Sequence, residues 1–285
     1  MAFWRVAGFV LLVLLGVAVA GLRVVEAWRQ QPVLAELHLP PAFAVARDFD
    51  FGRYRLSWRG QGFVVYRQDR PQEVLWGAEG GFLAAGIGQP GSRPPTASGE
   101  LRDQRELLCR EQSLDAFERQ GDKLLLKGRL RCADGSLSPY VLTLEDDGER
   151  GLALAVSLGA SRLNRLYLAW SRESDERFFG FGERSGAYDM SGRLVAVPAA
   201  RSLPQQPAAW SAAATRAFYF TSRLRAFHSQ SVAYQLFDLR DPRRVGLEVH
   251  EGRLTARVFR GDSVDELRAR QASVVGTVST PLAPK

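Results

Sequence analysis

The sequence predicts an all-β protein, a large two-sheet β-sandwich preceded by one N-terminal transmembrane or signal helix, and three observations carry that prediction. From about Ala42 to Gly261 the chain is a series of short apolar or alternating runs broken by glycine, proline and aspartate, the pattern of strands joined by turns. The runs are too many for an immunoglobulin-size sandwich and suit two large sheets that each give one face to a shared core. A good helical signature occurs in the body only at its far end, where Ser263 and Glu266 form the S-x-x-E spacing of a capping box.

Residues 6–22 are an unbroken apolar run that follows Arg5, and such a segment enters a bilayer. Two readings stay open. Ala18-Val19-Ala20 resembles a signal-peptidase site, so the run is a cleaved signal, or it is retained as an anchor. Trp4 and Trp28 would lie roughly 36 Å apart on a helix rising about 1.5 Å per residue, near both interfaces of a membrane. Either reading exports the body, held at a bacterial inner membrane and facing the periplasm or the outside, or secreted if the signal is removed. The resulting division is an anchor or signal over 1–24, a tether over 25–45 containing Pro32, Pro40 and Pro41, a sandwich over 46–276 and a tail over 277–285.

Within the sandwich, residues 53–58 and 62–66 read as the first two strands. Residues 140–144, 152–158, 166–170, 217–221, 232–237, 245–249 and 254–259 continue the series. Residues 77–99 and 195–214, rich in glycine, proline and alanine, read as long loops. Residues 107–130 read as a long hairpin. A turn centred between Gln120 and Gly121 pairs Arg119 with Asp122, and the same register carried outward sets Cys109 opposite Cys132. Opposed residues lie about 4.5 to 5.5 Å apart at Cα, which a disulfide accepts. An oxidised Cys109–Cys132 pair is therefore allowed in an exported domain, with two buried thiols as the alternative.

The net charge of +7 and a sequence pI near 9.8 would suit nucleic acid or an anionic surface. The basic residues are scattered singly, however, and no helix-turn-helix, zinc spacing or RNA-binding aromatic motif accompanies them, so nucleic acid is not an expected partner. His38, His228 and His250 with two cysteines make no metal spacing. Gly180-Phe181-Gly182 lacks the third glycine and the strand-to-helix setting of a dinucleotide loop, and residues 182–186 do not centre a serine as a nucleophile elbow does. No cofactor or metal is expected.

The most informative run is Arg177-Phe178-Phe179-Gly180-Phe181-Gly182-Glu183-Arg184, closing on Tyr188-Asp189-Met190-Ser191-Gly192-Arg193. It is followed in order by Phe218-Tyr219-Phe220-Thr221-Ser222-Arg223, Phe237-Asp238-Leu239-Arg240-Asp241-Pro242 and Phe259-Arg260-Gly261-Asp262-Ser263. This ordered set, over roughly 48–276, resembles the amino-terminal sandwich of glycoside hydrolase family 31, in the branch of bacterial α-glucosidases and sulfoquinovosidases. The resemblance implies a galactose-mutarotase-like supersandwich. In that family the sandwich precedes a (β/α)8 barrel that carries both catalytic aspartates, and no segment here resembles the barrel motifs. The expectation is therefore the sandwich of a truncated or split α-glycosidase without catalytic residues of its own, or a stand-alone module that binds carbohydrate or an envelope protein. A separate barrel subunit is the corresponding partner. Retaining hydrolysis needs two carboxyl groups about 5 to 5.5 Å apart. Glu183, Asp189, Asp238, Asp241 and Asp262 are the acids that such a pair would have to be drawn from, although strand ends commonly use acids for capping.

Arg184, Tyr188 and Asp189 are the candidate saccharide-binding residues, because a ring can stack on a sugar face and a charged pair can hold hydroxyls. One departure from the family is informative. Where its members usually show Ser-Arg-Gly, this chain has Ser222-Arg223-Leu224, and a turn that requires positive φ would be strained there.

Overall fold

The computed structural model describes residues 31–91, 100–101, 103–182, 188–199 and 217–275, the side chains of 271–275 excepted, together with Gly16 and Gly21. The apolar run over 6–22 lies outside these residues apart from the two glycines. Among the described residues no helix is long and apolar enough to cross a membrane.

The protein is nearly all β. Its strands are β1 (Glu36–Leu37), β2 (Arg47–Phe51), β3 (Tyr54–Trp58), β4 (Gly62–Arg67), β5 (Val74–Glu79), β6 (Leu83–Pro90), β7 (Asp103–Gln112), β8 (Ala116–Gln120), β9 (Lys123–Cys132) and β10 (Leu137–Asp146). They continue as β11 (Leu152–Leu158), β12 (Arg165–Ser171), β13 (Phe178–Gly180), β14 (Leu194–Val197), β15 (Phe218–Thr221), β16 (Arg225–Ser229), β17 (Gln235–Asp238), β18 (Arg244–Val249) and β19 (Arg253–Arg260), followed by helix α1 (Val264–Val275). Strands β2 to β5 form a four-stranded sheet in sequence order. The others form one long sheet whose path runs β13-β15-β16-β19-β11-β10-β9-β7-β6-β12-β18-β17-β14, with β1 beside β7 and β8 beside β9. Pairing is antiparallel throughout except where β1 joins β7.

Period-two alternation explains the strands that cover one face. Leu124, Leu126, Leu130 and Cys132 of β9 and Tyr140, Leu142 and Leu144 of β10 point into the core, while intervening residues such as Arg129 and Arg131 face water. Two sheets form, as expected, and they are unequal, with fifteen and four strands among the described residues. The two ends of the long sheet fold over one another, so that Trp170 of β12 stacks on Phe227 of β16 at 4.9 Å. Phe237 of β17 meets Tyr219 of β15 and Phe227 edge-on at 6.1 and 6.0 Å. The Trp170 indole N–H donates to the Tyr219 hydroxyl at 3.1 Å inside this aromatic layer, which gives a buried polar atom the partner it needs.

Two loop expectations are corrected. Residues 77–90, read as glycine-rich loop, belong largely to β5 and β6. A Cβ on Gly77 would lie 2.6 Å from the Phe63 carbonyl oxygen and one on Gly86 2.7 Å from that of Leu107, so these glycines permit close strand approach. Residues 194–197 form β14 where the 195–214 loop was expected to begin, and 200–216 lie outside the described residues. Within 25–45, β1 adds a two-residue pairing to β7.

The Cys109–Cys132 pair is joined by a disulfide, reached by a register different from the simple hairpin. Gly121, with φ 59°, sits in a turn that sets Gln120 opposite Lys123. A break at Ser113–Asp115 and a bulge between Cys109 and Glu111 each slip the pairing by one residue, and the two slips bring Cys109 opposite Cys132. At the other end of the domain, Ser263 Oγ accepts from Glu266 N at 3.2 Å, as the capping box requires. The Glu266 carboxylate reaches back to the amide of Asp262 at 2.6 Å, one residue earlier than the usual partner.

Leu224 adopts φ 55°, which is the strain foreseen where the family's glycine is missing. Its half-buried side chain packs on the small cluster of Phe218, Phe220, Phe259 and Leu267 between β15, β19 and α1. Leaving the left-handed region to glycine removes a penalty of about 1–2 kcal/mol while forfeiting that contact. The variant Leu224→Gly is therefore expected to hold within about 1 kcal/mol of the parent, against the 2–5 kcal/mol typical of a leucine truncation. A urea-unfolding midpoint measures the difference.

Candidate functional site

The motif beginning at Arg177 enters the fold as β13, an edge strand paired with β15. Phe178 and Phe181 are buried in the main core, and Phe179 stacks on Phe220 at 5.7 Å on the opposite face. Phe181 is held at φ 64° by the Tyr219 and Phe237 rings, at 5.5 and 5.1 Å, and its amide donates to the Phe218 carbonyl. A Cβ on Gly180 would fall 2.9 Å from the backbone of β15, so this position is confined to glycine.

After β13 the chain returns alongside it. The Asp189 carboxylate accepts from the amides of Phe178 at 3.2 Å and Ser191 at 2.9 Å, and the Met190 amide donates to the Phe178 carbonyl at 2.8 Å. Burial raises the Asp189 carboxyl, but these two amide donors, together with the Ser191 hydroxyl and the Arg177 charge, outweigh it and hold the group below the usual carboxylate range. Asp189 is therefore occupied in fixing the returning chain. Tyr188, next to it, is 68% exposed. Arg184 lies outside the described residues. Of the three predicted residues, the structure thus places an exposed ring beside a structural aspartate.

Beneath the motif is a narrow cavity bounded by Trp170, Arg172, Glu176, Tyr219 and Arg225. Glu176 is fully buried and paired with Arg225, whose Nε donates to it at 3.0 Å and whose Nη2 makes a second, shorter contact. Burial raises the Glu176 carboxyl, and the Arg225 guanidinium overcomes that and keeps it ionised. The Arg172 guanidinium lies 4.5 Å over the Phe178 ring and donates to the carbonyls of Leu239 and Glu176. Burial lowers its pKa against the opposing pull of Glu176 and Asp189. These charges tie β13, β16 and the segment before Arg240 into one unit.

The acids considered for a hydrolytic pair are engaged elsewhere. Asp238 pairs with Arg240 at 2.7 Å, Asp241 with Arg244 at 2.9 Å and Asp262 with Arg70 at 2.8 Å. Glu183 lies outside the described residues. Two carboxylates that do approach one another, Asp103 and Glu248, were not singled out from the sequence. With His250 their ligand atoms lie within 4.8 Å of each other. Asp103 receives two bonds from Arg165, at 3.0 and 2.7 Å, while Glu248 is bonded to Arg105 at 3.1 Å and His250 at 3.0 Å. Two guanidinium groups already neutralise two carboxylates in this buried cluster, which leaves no net negative charge for a metal ion. Sequence gives little sign of it, because Asp103 and Arg165 lie 62 residues apart and each would ordinarily be assigned to the surface.

No protein-family model and no curated protein sequence matches the chain. Solved structures do. A GH31 family sulfoquinovosidase from E. rectale, in complex with an aza-sugar inhibitor, aligns with TM-score 0.51 and 14% identity over 80% of this chain and 34% of its own. An alpha-N-acetylgalactosaminidase from Bifidobacterium bifidum aligns with TM-score 0.47 and 11% identity over 81% of this chain and 39% of its own. A Flavobacterium johnsoniae GH31 dextranase gives TM-score 0.34 and 11% identity over 85% and 28%. The chain spans about a third of the length of the sulfoquinovosidase it matches. At this identity the likeness is one of fold, and the chain has a GH31-like, nearly all-β fold.

Proposed function

We propose that this chain is a carbohydrate-binding sandwich module of the galactose-mutarotase-like type found at the front of family 31 glycoside hydrolases, and that it engages an α-linked saccharide without hydrolysing it. One observation carries the reading. Asp189 pins the chain after β13 by two amide bonds and leaves the Tyr188 ring 68% exposed at its edge, a platform for stacking on a sugar face. The ordered motifs support the family, and the fold shared with the sulfoquinovosidase supports the sandwich. Cleavage would then come from a carboxylate pair on a separate barrel, since Asp238, Asp241 and Asp262 are held by arginines. An exported setting agrees with the buried Cys109–Cys132 disulfide, because such bonds persist in oxidising compartments.

The variant Tyr188→Ala tests the reading. Calorimetric titration with maltotriose is expected to show at least a tenfold loss of affinity, about 1.4 kcal/mol or more. The melting temperature should stay unchanged, because the ring is exposed. Equal affinity in parent and variant would remove Tyr188 from the site.

A further inference from the structure

The narrow cavity bounded by Trp170, Arg172, Glu176, Tyr219 and Arg225 has a further wall, Trp76 of β5, which belongs to the other sheet. Its volume of about 20 Å3 exceeds the roughly 10–15 Å3 that one water molecule needs and leaves no room for a larger ligand.

The wall carries donors that the protein leaves without acceptors. Trp76 is 1% exposed, and its indole N–H is buried with no hydrogen-bond partner among the described residues. A buried indole N–H ordinarily finds one. The Tyr219 hydroxyl accepts from Trp170 Nε1 at 3.1 Å, while its own proton has no acceptor among the described residues. Glu176 supplies the complementary capacity. Its Oε1 accepts from Arg225 Nε at 3.0 Å and its Oε2 from the Glu173 amide at 3.2 Å, and each carboxylate oxygen can take two donors. Charge on the wall then selects the occupant. An anion would lie against the ionised Glu176, and a cation against Arg172 and Arg225, so neither is favoured. A neutral molecule that both donates and accepts suits the wall, and at this size that molecule is water.

We infer that this cavity is a binding site for a single water molecule, held as a fixed part of the fold. The water accepts from Trp76 Nε1 and from the Tyr219 hydroxyl and donates to the Glu176 carboxylate, about the usual number of partners for a buried water. It joins the four-stranded sheet, through Trp76, to β15 and to the segment that leads into β13. The site is independent of Tyr188.

Crystals of the full chain grown with sodium bromide, diffracting well enough to show ordered solvent, test the site. One peak of density is expected within hydrogen-bond distance of Trp76 Nε1, the Tyr219 hydroxyl and the Glu176 carboxylate, with no anomalous signal at the bromine edge. In solution, the chain labelled with nitrogen-15 at tryptophan is expected to give a cross-peak between water and the Trp76 indole proton, with the sign of a water that tumbles with the protein. A cavity without density, an anomalous bromide peak within it, or a Trp76 indole bonded to a protein atom would overturn the inference. So would the absence of the water cross-peak. Each of these results would leave the maltotriose titration at Tyr188 unaffected.

Discussion

Replacing Glu176 by alanine is expected to cost about 3–5 kcal/mol of stability. Glu176 has no exposed surface, and the Arg225 side chain paired with it is 14% exposed. Removing the carboxylate leaves a guanidinium in a low-dielectric layer without its counter-charge, and desolvation of that group accounts for most of the cost. The pair also joins β16 to the segment leading into β13, so the loss should speed exchange of the Phe178 and Met190 amides. Urea unfolding gives the magnitude. A cost below about 1 kcal/mol would show that the pair is solvated and the core under the motif loosely packed.

The same residue sets a pH dependence. The Glu176 carboxyl is held below its ordinary 4.5 in the folded protein, so the stability it contributes is fully present above that value. It is lost as pH falls through the lower, folded-state value. Glu176→Gln cannot titrate, and the acid limb of its stability curve is expected to fall less steeply below about pH 4.5 than that of the parent. Thermal melts between pH 3 and 7 compare the two.

The second large effect belongs to the disulfide. Cys109 and Cys132 are separated by 23 residues, and closing a loop of that length in the unfolded chain contributes about 3 kcal/mol. The double variant Cys109→Ser with Cys132→Ser should lose about that much. Both sulfurs are buried, at 0% and 4% residue exposure, so the serine hydroxyls would add a desolvation penalty, and the double alanine variant separates the two contributions. The pair bridges β7 and β9 beside the bulge, so disruption should begin in the break at Ser113–Asp115.

Strands whose alternation faces a single core were legible in the sequence. Residues 152–158 form β11 over the full predicted range, and 254–259 lie within β19, because burial on one face imposes a period of two. Where both faces are covered, composition misleads. Gly77, Gly86 and Gly88 read as loop signals, but their missing side chains let β5 and β6 lie close to neighbouring strands or ion pairs. A Cβ on Gly88 would meet the Asp103 carboxylate at 2.5 Å. The hairpin illustrates a different limit. Its end point, Cys109 opposite Cys132, follows from counting outward from one turn, but the actual register contains two slips that no local pattern announces.

The candidate site was legible only as a motif. Sequence spacing pointed to Tyr188 and Asp189 but could not separate their roles, because whether an aspartate meets solvent or two backbone amides depends on how the chain folds back on β13. The buried charges were not legible. Glu176 with Arg225, and Asp103 with Arg165, are joined across strands distant in sequence, and a lone acid or arginine in a strand gives no sign of its partner. Leu224 is the counter-example, since a residue standing where a glycine belongs announces its own strain, and its φ of 55° follows.

Saccharide binding at Tyr188 and the absence of turnover are both tested by one NMR titration. The full chain, labelled at its tyrosine rings, would be mixed with maltotriose and followed for a day. Saturable shifts of the Tyr188 ring resonances are expected while the sugar's anomeric signals keep their integrals. Unmoved Tyr188 resonances at saturating sugar, or growth of free-glucose anomeric signals, would contradict it.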